Sequence, residues 1–269
     1  MGGQIKLTAL NDESSPKDMA PKHIDEQGLI AREQDIIDAS IALIDRYGIE
    51  SITMDKVVAA VPYSKGTVYK HFLGKEDLFL AIGNHAIKIM HDLFSRSAQY
   101  QGGTRERMLL SNISYLIYAI LHPTLFKSMQ CAKSPSVYGR SSPQRLEEQT
   151  LLESRVMATM SGIIEDAEKE GQFVLPAHMT RQQVCFSTWT IGFGTISLLA
   201  EDLEQCSASS GLVVERELLN QYNVLLDGYQ WVPLSVDKDY EAALKLAVQS
   251  VFPKELILLK SKGREFNFC

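Results

Sequence analysis

Cysteine is scarce in this chain, and no apolar run approaches the ~18 residues that a membrane-spanning helix needs. The longest mostly apolar run, TWTIGFGTISLLA at 188–200, is bracketed by Arg181 and by Glu201 and Asp202, and reads as a buried helix. The beginning of the chain lacks the charged-then-apolar order of a secretory signal. The four cysteines, at 131, 185, 206 and 269, form no CxxC pair, so free thiols in a reducing cytoplasm are expected. Cys131, close to Lys133, reads either as a redox thiol favoured by a nearby cation or as an inert buried cysteine. No Ser-His-Asp order, phosphate-binding loop or dinucleotide fingerprint occurs, so the chain is not expected to be an enzyme. His85 and His91 lie six apart, not at the i, i+4 spacing of a helical metal pair, and neither a metal nor a cofactor is expected. Alternating strand patterns, internal repeats and low-complexity tracts are missing as well.

What remains is a helical protein. The 269 residues are 45% hydrophobic and 22% charged, ordinary for a globular chain with a sizeable core. Residues 1–29 are polar, without a sustained period, and are expected to form a flexible arm. Apolar residues Ile36, Ile37, Leu43, Ile44 and Tyr47 recur at helical spacing over 31–47, and Gly48 follows where a helix commonly stops. Thr53 caps a short second helix that Pro62 ends, and Ser64 caps a third over 65–71. Gly74 breaks it, and Lys75 opens a long fourth helix with Glu76 and Asp77 in its first turn. Further helices are expected near 104–122, 123–132, 144–171, 181–204, 214–230 and 237–250, with a loop at 133–143. The expected division is an arm (1–29), a first domain (30–78), a larger helical domain (79–252) and a tail (253–269).

A formal net charge of -6 argues against a protein coated in nucleic acid, but not against a local basic patch. Residues 53–75 hold Lys56, Lys65, Lys70 and Lys75 against a single acid, Asp55. Two short helices joined by a tight turn, the second one basic, are the parts of a helix-turn-helix, whose second helix fits the major groove. Within it Ser64 caps or bonds a phosphate, and Gly66 lets backbone approach DNA. Thr67 bonds a phosphate or offers its methyl to thymine, and Tyr69 reaches backbone or base. Lys65, Lys70 and Lys75 suit phosphate or guanine, and His71 is either a DNA contact or a packing residue. Lysines alone would favour a solvated basic face on a helical protein.

The run S-K-G-T-V-Y-K-H-F-L-G-K-E-D-L at 64–78, with Arg32, Ile36, Ala39, Gly48, Thr53 and Val57 ahead of it, resembles the DNA-binding domain of the TetR/AcrR family of bacterial transcription regulators. The resemblance spans about residues 31–80. It implies an all-α fold, a three-helix DNA-binding domain joined to a larger helical domain that binds an effector and dimerises. It implies that Thr53 touches phosphate, that Lys65, Gly66, Thr67, Tyr69 and His71 face DNA, and that Lys75 binds phosphate. One departure stands out: Pro62, followed by Tyr63, replaces the usual turn glycine, which puts the angle between the helices in question.

Beyond residue 90 the resemblance is architectural. It implies a cytoplasmic homodimer on palindromic operator DNA, more often a repressor released by a small molecule. The helices near 181–204 and 214–230 are the candidates for dimerisation. Gly192 and Gly194 in the first of them imply a close approach, either within the chain or to a second copy. Tyr115, Tyr118, Phe126, Met129, Met157, Met160, Phe186 and Trp189 are the candidate effector contacts, and the lack of a charged cluster leans toward a largely apolar ligand. The amphipathic segment within 232–269 either covers the dimer interface or packs on the core. The alternative function is a helical carrier or enzyme for a hydrophobic molecule that binds no DNA. A helix-turn-helix that docks a protein is a third, with Pro62 in its favour.

Overall fold

The computed structural model describes residues 25–132, 134–199 and 210–266, and among them there are helices and no strands. The first helix, α1 (Glu26–Tyr47), starts earlier than the periodicity indicates, because the Asp25 carboxylate accepts the Gly28 amide at 2.8 Å. Residues 26–29 are therefore helical rather than part of an arm, and residues 1–24 lie outside the described residues. Gly48 ends α1 with φ +79°, its amide bonded to the Ile44 carbonyl. After a 3-10 turn (Ile49–Ser51) come α2 (Met54–Ala60) and α3 (Lys65–His71), capped by Thr53 and Ser64 as their sequence indicates. Ile36, Ile37, Ile44, Ile52, Val57, Val68 and Phe72 close a small core on the base of α4 (Lys75–Ala98).

At 24 residues, α4 is about 36 Å long and runs from this small domain into the body. It packs on α5 (Thr104–Leu121), α6 (Pro123–Ala132) and α8 (Pro143–Lys169). Nearly every residue of α5 is buried, which makes it the central rod of the body. The 133–143 segment, expected to be a loop, contains the one-turn helix α7 (Pro135–Tyr138), with proline at its first position. The body is completed by α9 (Arg181–Leu199), α10 (Val214–Gly228) and α11 (Tyr240–Val251). The expected tail from 253 instead opens with α12 (Pro253–Ser261). Phe252 and Leu259 are buried, and Arg96 of α4 holds Glu255 of α12 at 2.5 Å, so the described part of 232–266 packs on the chain's own core. No single described helix is long and apolar enough to cross a membrane.

Candidate nucleic-acid interface and adjoining cavity

The turn between α2 and α3 is built without a left-handed residue. Val61 is extended (φ -121°, ψ 154°), as is Ser64, and no described residue at 61–64 has positive φ. Proline fits such a path, because its fixed φ and missing amide cost nothing in extended backbone. Tyr63 then ties the turn to α1. Its hydroxyl donates to Asp35 Oδ2 at 2.5 Å, and the Arg32 guanidinium lies 5.4 Å from its ring.

Burial divides α3 into two faces. Val68 and Phe72 are fully buried, while Ser64, Lys65, Gly66, Tyr69 and Lys70 are exposed and Thr67 is half-exposed. The Ser64 hydroxyl accepts the Thr67 amide at 3.2 Å and lies 2.9 Å from the Thr67 hydroxyl. A Cβ placed on Gly66 would meet nothing closer than Ser64 Oγ at 3.9 Å, so packing within the chain does not demand glycine there. Lys65 Nζ sits 2.8 Å from Asp55 Oδ1, both well exposed, and this hydrogen bond raises the Lys65 ammonium above its ordinary range. Such a surface pair is weak and readily traded for a phosphate. Thr53, exposed, accepts the Lys56 amide at 3.3 Å; Lys75 is half-exposed, its ammonium 5.0 Å from the Phe79 ring.

His71 is the exception among the residues expected to face DNA. Its side chain is 10% exposed, with Nδ1 3.6 Å from Glu33 Oε2. The cause is a neighbour in space, Glu33 of α1, since Lys65 and Tyr69, equally three residues from buried Val68 and Phe72, stay exposed. His71 is thus a packing residue between α3 and α1.

In the body, a cavity of about 650 Å³ lies among α4, α5, α6, α8 and α9. Six of the eight candidate contacts line it: Tyr115, Met129, Met157, Met160, Phe186 and Trp189. Tyr118 and Phe126 do not. They back the wall, with Tyr118 stacked 6.2 Å from the Tyr115 ring and Phe126 5.6 Å from it. Spacing along α5 could not separate Tyr115 from Tyr118, because nearly the whole helix is buried and both rings are enclosed. Polar lining that sequence reading missed comes from Asn112, Glu153, Thr180, Gln182, Gln183 and Thr188. Thr180, Gln182 and Gln183 belong to the polar run that opens α9, which by itself reads as an exposed helix start. Burial, partly offset by a hydrogen bond from Trp189, pushes the Tyr115 hydroxyl up to about 12. Cys185 also lines the cavity, and burial raises its thiol, so it is the inert type of cysteine. Cys206 and Cys269 lie outside the described residues, as does the side chain of Cys131. Among the described residues no three His, Cys, Asp or Glu side chains gather as metal ligands.

The two α9 glycines separate cleanly. A Cβ on Gly192 would fall 2.3 Å from the Tyr222 hydroxyl of α10, so this glycine serves a close approach within the chain. Gly194 faces open space. Phe186, Trp189 and Leu198 of α9 and Val224 of α10 are exposed apolar side chains.

The sequence signature of the bacterial regulatory proteins of the tetR family matches residues 36–82. No curated protein matches the chain significantly. Among solved structures, a Rhodococcus sp. RHA1 protein of unknown function superposes with a TM-score of 0.60 at 15% identity, over 78% of this chain and 98% of that one. A tetR-family regulatory protein from Rhodococcus RHA1 gives 0.54 at 16% identity, over 73% and 96%. The Bacillus subtilis regulator FadR, in complex with stearoyl-CoA, gives 0.54 at 12% identity, over 75% and 98%. At such identities the likeness lies in the fold.

Proposed function

This chain belongs to the TetR family of transcriptional regulators, and on that premise we propose that it is a homodimeric repressor released from a palindromic operator by a small, largely apolar effector. The observation that carries the DNA reading is the exposed face of α3. Lys65, Gly66, Tyr69 and Lys70 stand outward on a helix whose opposite face is locked in the core. Phosphate contacts depend on cations placed locally, so a basic wedge on an anionic chain suffices. Thr53, Ser64, Thr67 and Lys75 flank that wedge as phosphate contacts. Residues 30–78 form the DNA-binding unit, and the body from 79 onward binds effector and partner.

The cavity wall of methionines and aromatic rings supports an apolar ligand. The stearoyl-CoA held by the Bacillus subtilis regulator, with its long apolar tail, fits the same reading. Ligand entry displaces α4, which reaches from the cavity to the base of the DNA-binding unit. In a two-fold dimer this alters a recognition-helix separation that otherwise matches one turn of DNA, about 34–36 Å. Such coupling requires that the ligand prefer the displaced state.

The test is to select duplexes from a random library with the full-length protein and to titrate the selected duplex against salt. Log K should fall linearly with log salt, and Tyr69→Ala combined with Lys75→Ala should abolish binding while circular dichroism stays unchanged. A flat salt dependence, or undiminished affinity in the double variant, would remove the assignment of DNA contacts.

A further inference from the structure

The first turn of α8 is built into the DNA-binding unit, and the middle of the same helix lines the cavity. Arg145, 13% exposed, grips Glu33 of α1 with both ends of its guanidinium at 2.7 Å. The same guanidinium lies 5.2 Å from the ring of Phe72, the residue that ends the recognition helix, and Glu33 also faces His71 on that helix. Beside it, Asp77 is buried and joins two chain segments with one carboxylate. Its Oδ2 accepts the amide of Leu73, just past the recognition helix, at 3.0 Å. Its Oδ1 accepts the amide and hydroxyl of Ser142, the residue before α8, each at 2.9 Å. Asn84 of α4 donates to the Arg145 carbonyl at 3.1 Å, which fixes α8 against α4 at the same level. Val156, Met157 and Met160, which line the cavity, lie eleven to fifteen residues further along α8, about 16–22 Å away.

A two-pronged arginine–carboxylate pair is strict about geometry, and breaking a buried one leaves a charge without its partner. A helix transmits a displacement along its axis nearly undiminished, so cavity-side movement of α8 reaches Arg145. Burial by itself would lower the Arg145 pKa, but the hydrogen bonds to Glu33 and the nearby Glu148 and Asp77 outweigh it and raise it, which keeps the guanidinium charged in its pocket.

We infer that Arg145, Glu33 and Asp77 form a latch by which α8 positions the recognition helix, so that α8 as well as α4 carries cavity occupancy to the DNA-binding face. The transmission half of this inference rests on the effector reading of the cavity, whereas the latch itself does not. Arg145 is a positioning residue and touches neither ligand nor DNA.

The test is hydrogen exchange on the full-length protein, with affinity for the selected duplex as a second measurement. Arg145→Ala should speed exchange in residues 64–73 at least tenfold while 104–121 stays unchanged, and should weaken DNA binding by a similar factor. Glu33→Ala should do the same, the two together should be no worse than either alone, and Arg145→Lys should recover part of the loss. Filling the cavity with Met157→Trp (or Met157→Phe if the larger residue does not fold) should loosen 64–73 in the wild-type background and add nothing to Arg145→Ala. Exchange that rises equally throughout the chain, or losses that simply add, would overturn the latch. A cavity-filling effect that persists undiminished without Arg145, or that never reaches 64–73, would overturn transmission through α8. If the wild-type protein selects no duplex, the DNA reading fails on its own, and the exchange measurements still decide the latch.

Discussion

Arg105 carries its guanidinium into the body with only 1% of the side chain exposed, and both of its terminal nitrogens are bonded, while the buried Nε is not. Asp227 accepts from it at 2.6 Å, the Trp231 carbonyl at 2.7 Å and Asn223 Oδ1 at 3.1 Å, and the Tyr240 ring lies 4.6 Å away. Removing the carboxylate would leave a buried cation short of its counter-charge, so Asp227→Ala should cost about 3 kcal/mol of unfolding free energy in a urea titration. Burial would raise the Asp227 pKa, but hydrogen bonds from Ser235 and pairing with Arg105 outweigh it and hold the carboxyl below its usual range. A pKa depressed by folding contributes stability that is complete above the unfolded value, near 4, and disappears as pH falls through the lower folded one. Acidification below about pH 4 should therefore lower the urea midpoint, and by less in Asp227→Ala. Nothing at sequence level marks Arg105 or Arg145 as different from the exposed arginines, because Glu33, Asp227 and Trp231, which hold them, lie 112 to 126 residues away along the chain.

At the scale of helices, caps and breakers were readable because they act locally. Thr53, Ser64, Gly48 and Gly74 bound their helices by chemistry within four residues, and the spacing of α2 and α3 follows. The Pro62 turn was not readable, since whether the chain turns through a left-handed or an extended path depends on what holds it, and Tyr63 bonded to Asp35 does so from another helix. The glycines of α9 show the same division. Gly192→Ala would press on the Tyr222 hydroxyl, which itself donates to the Thr188 carbonyl at 3.3 Å, and should cost about 1–3 kcal/mol through displacement of α10. Gly194→Ala meets open space within the protomer and should gain up to about 1 kcal/mol of helix stability. Thermal melts of both variants check the pair, and equal shifts would contradict the packing described.

For the molecule as a whole, the exposed apolar side chains of α9 and α10 argue for a partner surface. Sedimentation should give twice the 30.1 kDa chain mass, and Val224→Arg should shift the protein toward monomer and weaken DNA binding, because two half-sites are no longer engaged together. A monomeric wild-type protein that binds its selected duplex with undiminished affinity would count against this arrangement.

The sequence by itself determined most of the helices and the caps Thr53 and Ser64, because these follow from contacts within one or two turns, but not the early start of α1, the one-turn α7 or the α12 in the expected tail. Six of the eight residues picked from the sequence as effector contacts line the cavity, but so do Ile87, Met90, Phe94 and Val156, which nothing in it set apart from the rest of the core. Only the tertiary structure decided that His71 turns inward, that Tyr118 and Phe126 stand behind the wall, and that Arg145 meets Glu33. Those outcomes depend on the angles at which distant helices cross, and a helical period carries no information about its neighbours' tilt.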